Sequence, residues 1–177
     1  MNKTVVVYKS KYGSTKKYAE WIASALNADI FEASKIGVED MEKYSTIIYG
    51  GGLYASGILG VSTITKAFDR LKDKNLIVFT VGLADPKSTE FDSIINKNFT
   101  KEMQQIIKVF HFRGAIDYKK LGFLHKAMMA MLKSQISKTP EDKRDDETKM
   151  MLETYGKTVD FTDQSSIGLL IESCNGL

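Results

Sequence analysis

Cysteine, histidine and proline are scarce in this chain of 177 residues, and each shortage removes a class of function. The single cysteine, Cys174, has no partner for an internal disulfide, and with only His111 and His125 it reaches no recognised zinc-ligand spacing. No metal and no thiol chemistry are expected. Two prolines against 43% hydrophobic residues argue for an ordered core, and the length suits one domain. The amino-terminus shows no apolar run behind a basic start and no small-residue cleavage site, so the expectation is a cytoplasmic protein without a targeting segment. Strong charge of either sign is also missing. A net charge of +3 and a pI near 8.8 permit an anionic partner without demanding one, and no nucleic-acid partner is expected.

Charge is absent altogether between Lys43 and Lys66, a length that could span a bilayer. The composition argues otherwise. Glycines at 50, 51, 52, 57 and 60, with interspersed serines and threonines, break the apolar runs into a strand, a loop and a helix start.

What is present is organised around Ser10-Lys11-Tyr12-Gly13-Ser14-Thr15. Upstream, Thr4 to Tyr8 is β-branched and aromatic enough for a buried strand; downstream, Tyr18, Ala19, Ile22, Ala23 and Leu26 recur at helical spacing. A strand, a hydroxyl-rich turn and a helix start together make a phosphate site, because the first N–H groups of the helix and its dipole favour an anion. The alternative is an ordinary hydroxyl cap with no ligand.

Further along, Asp29 to Ala33 alternates as an edge strand, and Tyr44 to Tyr49 runs into the triple glycine. A helix is predicted from Ser62 to Lys72, with Ile64, Ala67, Phe68 and Leu71 on one face. Asn75 to Val81 is an apolar strand, Phe91 to Glu102 a helix, and Ile106 to Phe112 the last strand. Five strands alternating with helices imply a parallel sheet covered on both faces, and ligands on such sheets bind beyond the carboxyl ends of the strands. Three loops lie on that edge. They supply the candidate binding residues: Ser10, Lys11, Tyr12, Gly13, Ser14 and Thr15; then Gly51, Gly52, Leu53, Tyr54, Ala55 and Gly57; then Val81, Gly82, Leu83, Ala84 and Asp85. His111 and His125 fall outside these loops and read as structural or surface residues, so no catalytic acid or base is expected.

Asp117 to Lys149 exceeds a minimal five-stranded fold and reads as a helical insertion. Leu121, Phe123, Leu124, Ala127, Met128 to Leu132 and Ile136 cover most of a helix surface, flanked by Lys119, Lys120, Lys126, Lys133 and Lys138. A wide apolar face framed by lysines suits an anionic membrane surface or a partner groove. The alternative is packing on its own domain or in a homodimer, with methionine filling gaps. The acidic and basic run from Glu141 to Glu147 is expected to begin a solvated helix, and Thr162 or Asp163 to cap a final helix that packs Ile167, Leu169, Leu170 and Ile171.

The first loop is neither a Walker A motif nor G-x-G-x-x-G, which disfavours ATP and dinucleotides. It matches the Ser/Thr-x-x-Gly-x-Thr loop that holds the FMN phosphate in flavodoxins, and the chain resembles that family from the first loop to the last strand. The resemblance implies a flavodoxin-like doubly wound five-stranded parallel sheet of order 2-1-3-4-5. Gly51-Gly52-Leu53-Tyr54-Ala55-Ser56-Gly57 is similar to the Ser-Pro-Ile-Tyr-Ala-Gly loop of a subfamily that includes the menaquinone-dependent protoporphyrinogen dehydrogenases, where this loop lies along the flavin ring. Tyr54 is therefore the candidate for ring contact. The segment from Arg113 to Leu124 resembles that subfamily too, whose members carry a basic, apolar insertion here, while Val81 to Asp85 lacks an aromatic for the second flavin face. The resemblance implies an FMN oxidoreductase passing electrons between a reduced substrate and a quinone-type acceptor; the lysine-framed helix from Lys119 to Lys138 adds the expectation of a peripheral position at the inner membrane face. Two alternatives stay open: a soluble electron carrier, although carriers of this kind are usually acidic, and a flavin-free protein-binding module.

Overall fold

A chain of alternating short apolar runs and amphipathic segments must bury both faces of its sheet, because βαβ crossovers place helices on each side. The computed structural model, which describes residues 3–54, 57–87, 90–141, 149 and 152–175, shows how it does so. Strands β1 (Thr4–Lys9), β2 (Asp29–Glu32), β3 (Thr46–Tyr54), β5 (Asn75–Gly82) and β6 (Lys108–Arg113) form one parallel sheet in the order β2-β1-β3-β5-β6. Counted over these five strands that is the predicted order 2-1-3-4-5, and the fold is α/β and flavodoxin-like. Alternate residues of each strand enter opposite cores. Val5, Val7, Ile47, Tyr49, Leu76 and Val78 meet Met41, Ile64, Phe68 and Leu71 on one face, while Val6, Ile48, Ile77 and Phe79 meet Tyr18, Ile22, Phe112 and Leu170 on the other.

Helix α1 (Ser14–Leu26) follows β1 and buries Thr15, Tyr18, Ala19, Ile22 and Ala23. A short α2 (Val38–Met41) precedes β3. Beyond the triple glycine the chain doubles back: β4 (Gly57–Ile58) pairs antiparallel with Leu53 and Tyr54, a return that sequence periodicity did not reveal. Ala55 and Ser56 lie outside the described residues.

Two predicted helices are each split. In place of Ser62 to Lys72 stand α3 (Ser62–Thr65) and α4 (Phe68–Leu71), because the N–H of Ala67 tightens onto the carbonyl of Ile64 three residues back, while Ile64, Ala67, Phe68 and Leu71 all remain buried as predicted. In place of Phe91 to Glu102 stand α5 (Asp92–Asn98) and α6 (Lys101–Ile106). Between them Phe99 is extended and buried, and the Thr100 hydroxyl caps α6 by accepting from the Met103 N–H at 3.3 Å. Burying one phenylalanine outweighs helix continuity here. The last strand accordingly begins two residues later than predicted.

The insertion is fastened at its neck by a second, two-stranded sheet: β7 (Ala115–Asp117) pairs antiparallel with β8 (Thr158–Asp160). Between them rises α7 (Phe123–Ser137). The expected solvated run through Glu147 falls mostly outside the described residues. At the carboxyl end Asp163, accepting from the Ser165 N–H at 2.9 Å, caps a 3-10 turn that leads into α8 (Gly168–Asn175). Ile167 and Leu170 pack as predicted, but Leu169 is 71% exposed because a 3-10 start rotates it off the buried face. Among the described residues no helix is long and apolar enough to cross a membrane.

His111 on β6 shows what burial does to a titratable ring inside this fold. Its Nδ1 lies 2.5 Å from Thr80 Oγ1 and its ring stacks on Phe91 at 3.6 Å, and burial lowers its pKa to about 4. The folded chain therefore holds the ring neutral while the unfolded chain binds a proton below about 6.5, so its contribution is fully present above 6.5 and is lost as pH falls toward 4. The displacement sets an upper figure of about 3 kcal/mol, which solvent at this half-buried ring reduces to about 1–2 kcal/mol. Urea midpoints between pH 7 and 4.5 should fall less steeply in His111→Phe than in the wild type. Parallel slopes would show that the ring is already protonated in the fold.

Candidate functional site

The carboxyl ends of β1, β3 and β5 bring the predicted loops to a cavity of about 190 Å³. The first loop turns at Gly13, whose φ of +100° is a left-handed conformation that a side chain rarely adopts. Ser10 Oγ accepts from the Gly13 N–H at 3.1 Å, so this hydroxyl closes the loop. Gly13 leaves α1 without any side-chain cap, and the first-turn N–H groups remain for a ligand or solvent. Ser14 and Thr15, at that uncapped start, line the cavity together with Lys11 and Tyr12. Ser14 Oγ also accepts from the Ala115 N–H at 3.1 Å, tying the neck of the insertion to the loop.

The triple glycine divides into separate roles. A Cβ at Gly50 would sit 2.1 Å from Phe79 Cζ, and one at Gly51 would lie 2.6 Å from Ile58 Cγ2 and 2.7 Å from the Leu59 carbonyl oxygen. Those two are packing requirements. Gly52 reaches the cavity, and its Cβ would stand 3.5 Å from Thr15 Oγ1, an ordinary contact. Leu53 and the 37% exposed Tyr54 complete this wall.

Of the third loop only Val81 lines the cavity. Gly82 gives close passage instead: its carbonyl accepts from the Gly114 N–H at 2.6 Å, and a Cβ on it would approach Leu53 Cδ1 at 3.1 Å. Asp85 pairs with Arg113 at 3.8 Å, and Arg113 lies over the Phe161 ring at 4.0 Å. Leu83, Ala84, Asp85 and Gly57 are not among the lining residues, and Ser10, Gly13 and Gly51 serve the backbone geometry rather than the wall. Ala55 is outside the described residues.

Three lining residues were not anticipated: Leu59, Gly114 and His125. Gly114 carried a usable signal, since it directly follows the last strand on the ligand edge, where a Cβ would press on Val81 Cγ1 at 2.9 Å. His125 carried none. Assigned from sequence to structure or surface, it is 5% exposed inside the site, 114 positions from its hydrogen-bond partner Lys11. Its ring centroid is 4.4 Å from that of Tyr54 and 5.4 Å from that of Tyr12. Burial, and then the Lys11 charge, lower its pKa. Elsewhere on α7, Phe123 is 90% and Leu124 72% exposed, while Met128, Met129 and Ile136 are half-buried and Lys133 lies over the Tyr155 ring at 4.2 Å, so the helix is held to its own domain through His125 and Lys133 and leaves part of its apolar side open.

Comparison with known proteins places the chain among relatives. Residues 5–144 match the sequence profile of the family described as Flavodoxin domain. An uncharacterized protein of Methanocaldococcus jannaschii is 30% identical over 132 residues, covering 70% of this chain and 85% of that one. Among solved structures, the flavodoxin, WrbA-like protein from Agrobacterium tumefaciens is 21% identical with a TM-score of 0.45, covering 62% of this chain and 82% of its own. The Trp repressor binding protein from Bacillus subtilis is 16% identical with a TM-score of 0.48, covering 63% and 83%. The profile spans most of the chain: the chain belongs to the flavodoxin domain family.

Proposed function

We propose that this protein binds FMN at the three-loop cavity and passes electrons between a reduced substrate and a quinone-type acceptor, as the resemblance to menaquinone-dependent protoporphyrinogen dehydrogenases suggests. Flavodoxin domains generally bind FMN, and the observation that carries the reading here is the uncapped start of α1 with Ser14 and Thr15 on the cavity wall. That donor set fits a terminal phosphate, and Leu53, Tyr54 and Val81 offer apolar surface to a planar ring. When bound, FMN would supply the electron chemistry; the chain's residues would bind it, orient it and exclude water from it. The absorption spectrum of the purified protein tests this, followed by reconstitution and turnover with a soluble quinone. FMN uptake with weaker FAD binding is expected, since the loop surrounds a terminal phosphate. A colourless protein that takes up no flavin would favour the protein-binding alternative.

Tyr54→Ala should weaken FMN binding by about 0.5–1.5 kcal/mol beyond the loss of area, since aromatic pairs contribute that much. Survival of both affinity and fluorescence quenching would assign ring contact to another residue.

The exposed apolar side of α7, with Lys119, Lys120, Lys126, Lys133 and Lys138 all exposed, supports the peripheral membrane part of the reading. Each lysine near an anionic bilayer contributes about 1 kcal/mol, fading within roughly 8 Å at physiological salt. Co-sedimentation with vesicles containing anionic lipid should therefore exceed that with neutral vesicles and weaken as salt rises. Indifference to anionic vesicles at low salt, in a protein that is a stable dimer through α7, would make this surface a subunit contact and favour the electron carrier.

A further inference from the structure

We propose that His125 belongs to the ligand site and pins α7 across its mouth, so that a seated His125 and a bound planar anion exclude each other; the ligand half of this rests on the FMN reading above. His125 is the buried residue of a helix that turns Phe123, Leu124, Met131 and Leu132 to solvent. Both of its ring nitrogens are engaged. Lys11 Nζ lies 3.2 Å from Nε2, and Tyr12 Oη meets Nδ1. An ammonium group only donates, so Nε2 accepts, the proton of the neutral ring sits on Nδ1, and Nδ1–H donates to the tyrosine oxygen. The imidazole thus uses the one cation of the first loop that lines the cavity and one face of Tyr54, the same two groups an anionic, aromatic ligand would use.

Competition follows from the strengths and the space involved. A phosphate or other anion attracts the Lys11 ammonium more strongly than a neutral nitrogen does, because its full negative charge adds Coulomb attraction to a hydrogen bond that both partners can make. The cavity beside the seated ring is about 190 Å³, below the roughly 300–1,000 Å³ of ordinary ligand sites. Withdrawal of His125 enlarges it and frees the amino-terminal half of α7 from the first loop. Ligand entry is thereby linked to the position of the apolar, lysine-framed helix surface.

The test is amide hydrogen exchange across residues 123–137 in the full chain, with and without FMN, for the wild type, His125→Ala and His125→Gln, alongside FMN affinity by fluorescence quenching. Without FMN, His125→Ala should exchange faster over α7 by about tenfold or more, and His125→Gln, whose amide oxygen can accept from Lys11, should recover part of the protection. FMN should speed α7 exchange in the wild type, and His125→Ala should bind FMN about tenfold more tightly. Unchanged α7 exchange in His125→Ala overturns the pin. Slower α7 exchange with FMN, together with weaker binding by His125→Ala, overturns the exclusion and makes His125 a residue that closes over the ligand. If no variant takes up FMN while His125→Ala still loosens α7, the pin stands and the FMN reading falls.

Discussion

Replacing Ser14 and Thr15 together by alanine should lower FMN affinity about a hundredfold while leaving riboflavin binding nearly unchanged. Each hydroxyl would give a hydrogen bond to a charged phosphate, worth about 1.5–3 kcal/mol, and 1.4 kcal/mol is a factor of ten in affinity. The two residues are neighbours, so the double change is expected near the lower sum rather than at full additivity. They are not equivalent. Thr15 is 4% exposed on the cavity wall, whereas Ser14 also accepts from the Ala115 N–H, so Ser14→Ala leaves that backbone donor without its partner and loosens the neck of the insertion. Thr15→Ala alone therefore gives the cleaner reading of the phosphate contact. Riboflavin, which has no phosphate, separates loss of the anion site from general damage. Unaltered FMN affinity in the double variant would place the phosphate elsewhere.

Gly50→Ala should destabilise the fold without changing what the folded protein binds. The added Cβ would lie 2.1 Å from Cζ of Phe79, a ring with no exposure that also packs on Phe112 at a centroid distance of 5.7 Å. Gly50 stands in the middle of the sheet, in register with Tyr8 on one side and Phe79 on the other, so neither backbone nor ring can retreat into solvent. Overpacking of this kind costs about 1–3 kcal/mol, and at 2–4 °C per kcal/mol for a chain of this size the melting temperature should fall by about 2–12 °C. Adding Phe79→Leu should recover part of the loss, because the two positions share one space. Gly52→Ala is the contrast: its Cβ meets only Thr15 Oγ1 at 3.5 Å, so stability should hold while FMN affinity drops. Equal melting temperatures for Gly50→Ala and the wild type would show that the ring accommodates the methyl group.

The same residues separate what was legible in the sequence from what was not. Val5-Val6-Val7, Ile47-Ile48 and Leu76-Ile77-Val78-Phe79 read as buried strands because β-branched and apolar runs have few other ways to leave water, and the strand order followed from a family likeness in the first loop. The hydroxyl turn before α1 was legible because strand, turn and helix are contiguous, and contiguity is what local propensity can encode. The helix breaks at Ala67 and Phe99 were not, since both depend on a partner surface that the local pattern does not contain. Nor were the three-residue strands of the neck, whose partners stand about forty positions apart.

By itself, then, the sequence determined the alternation of strands and helices, the sheet edge that carries the candidate site and the hydroxyl chemistry of the first loop, all of them properties of neighbours along the chain. The tertiary structure alone decided which of the three glycines packs and which faces the cavity, that the third loop contributes little but Val81, and that His125 enters the site from the insertion. Those are contacts between residues distant in sequence. They are settled by packing and by the neck that returns α7 to the first loop, and no periodicity records them.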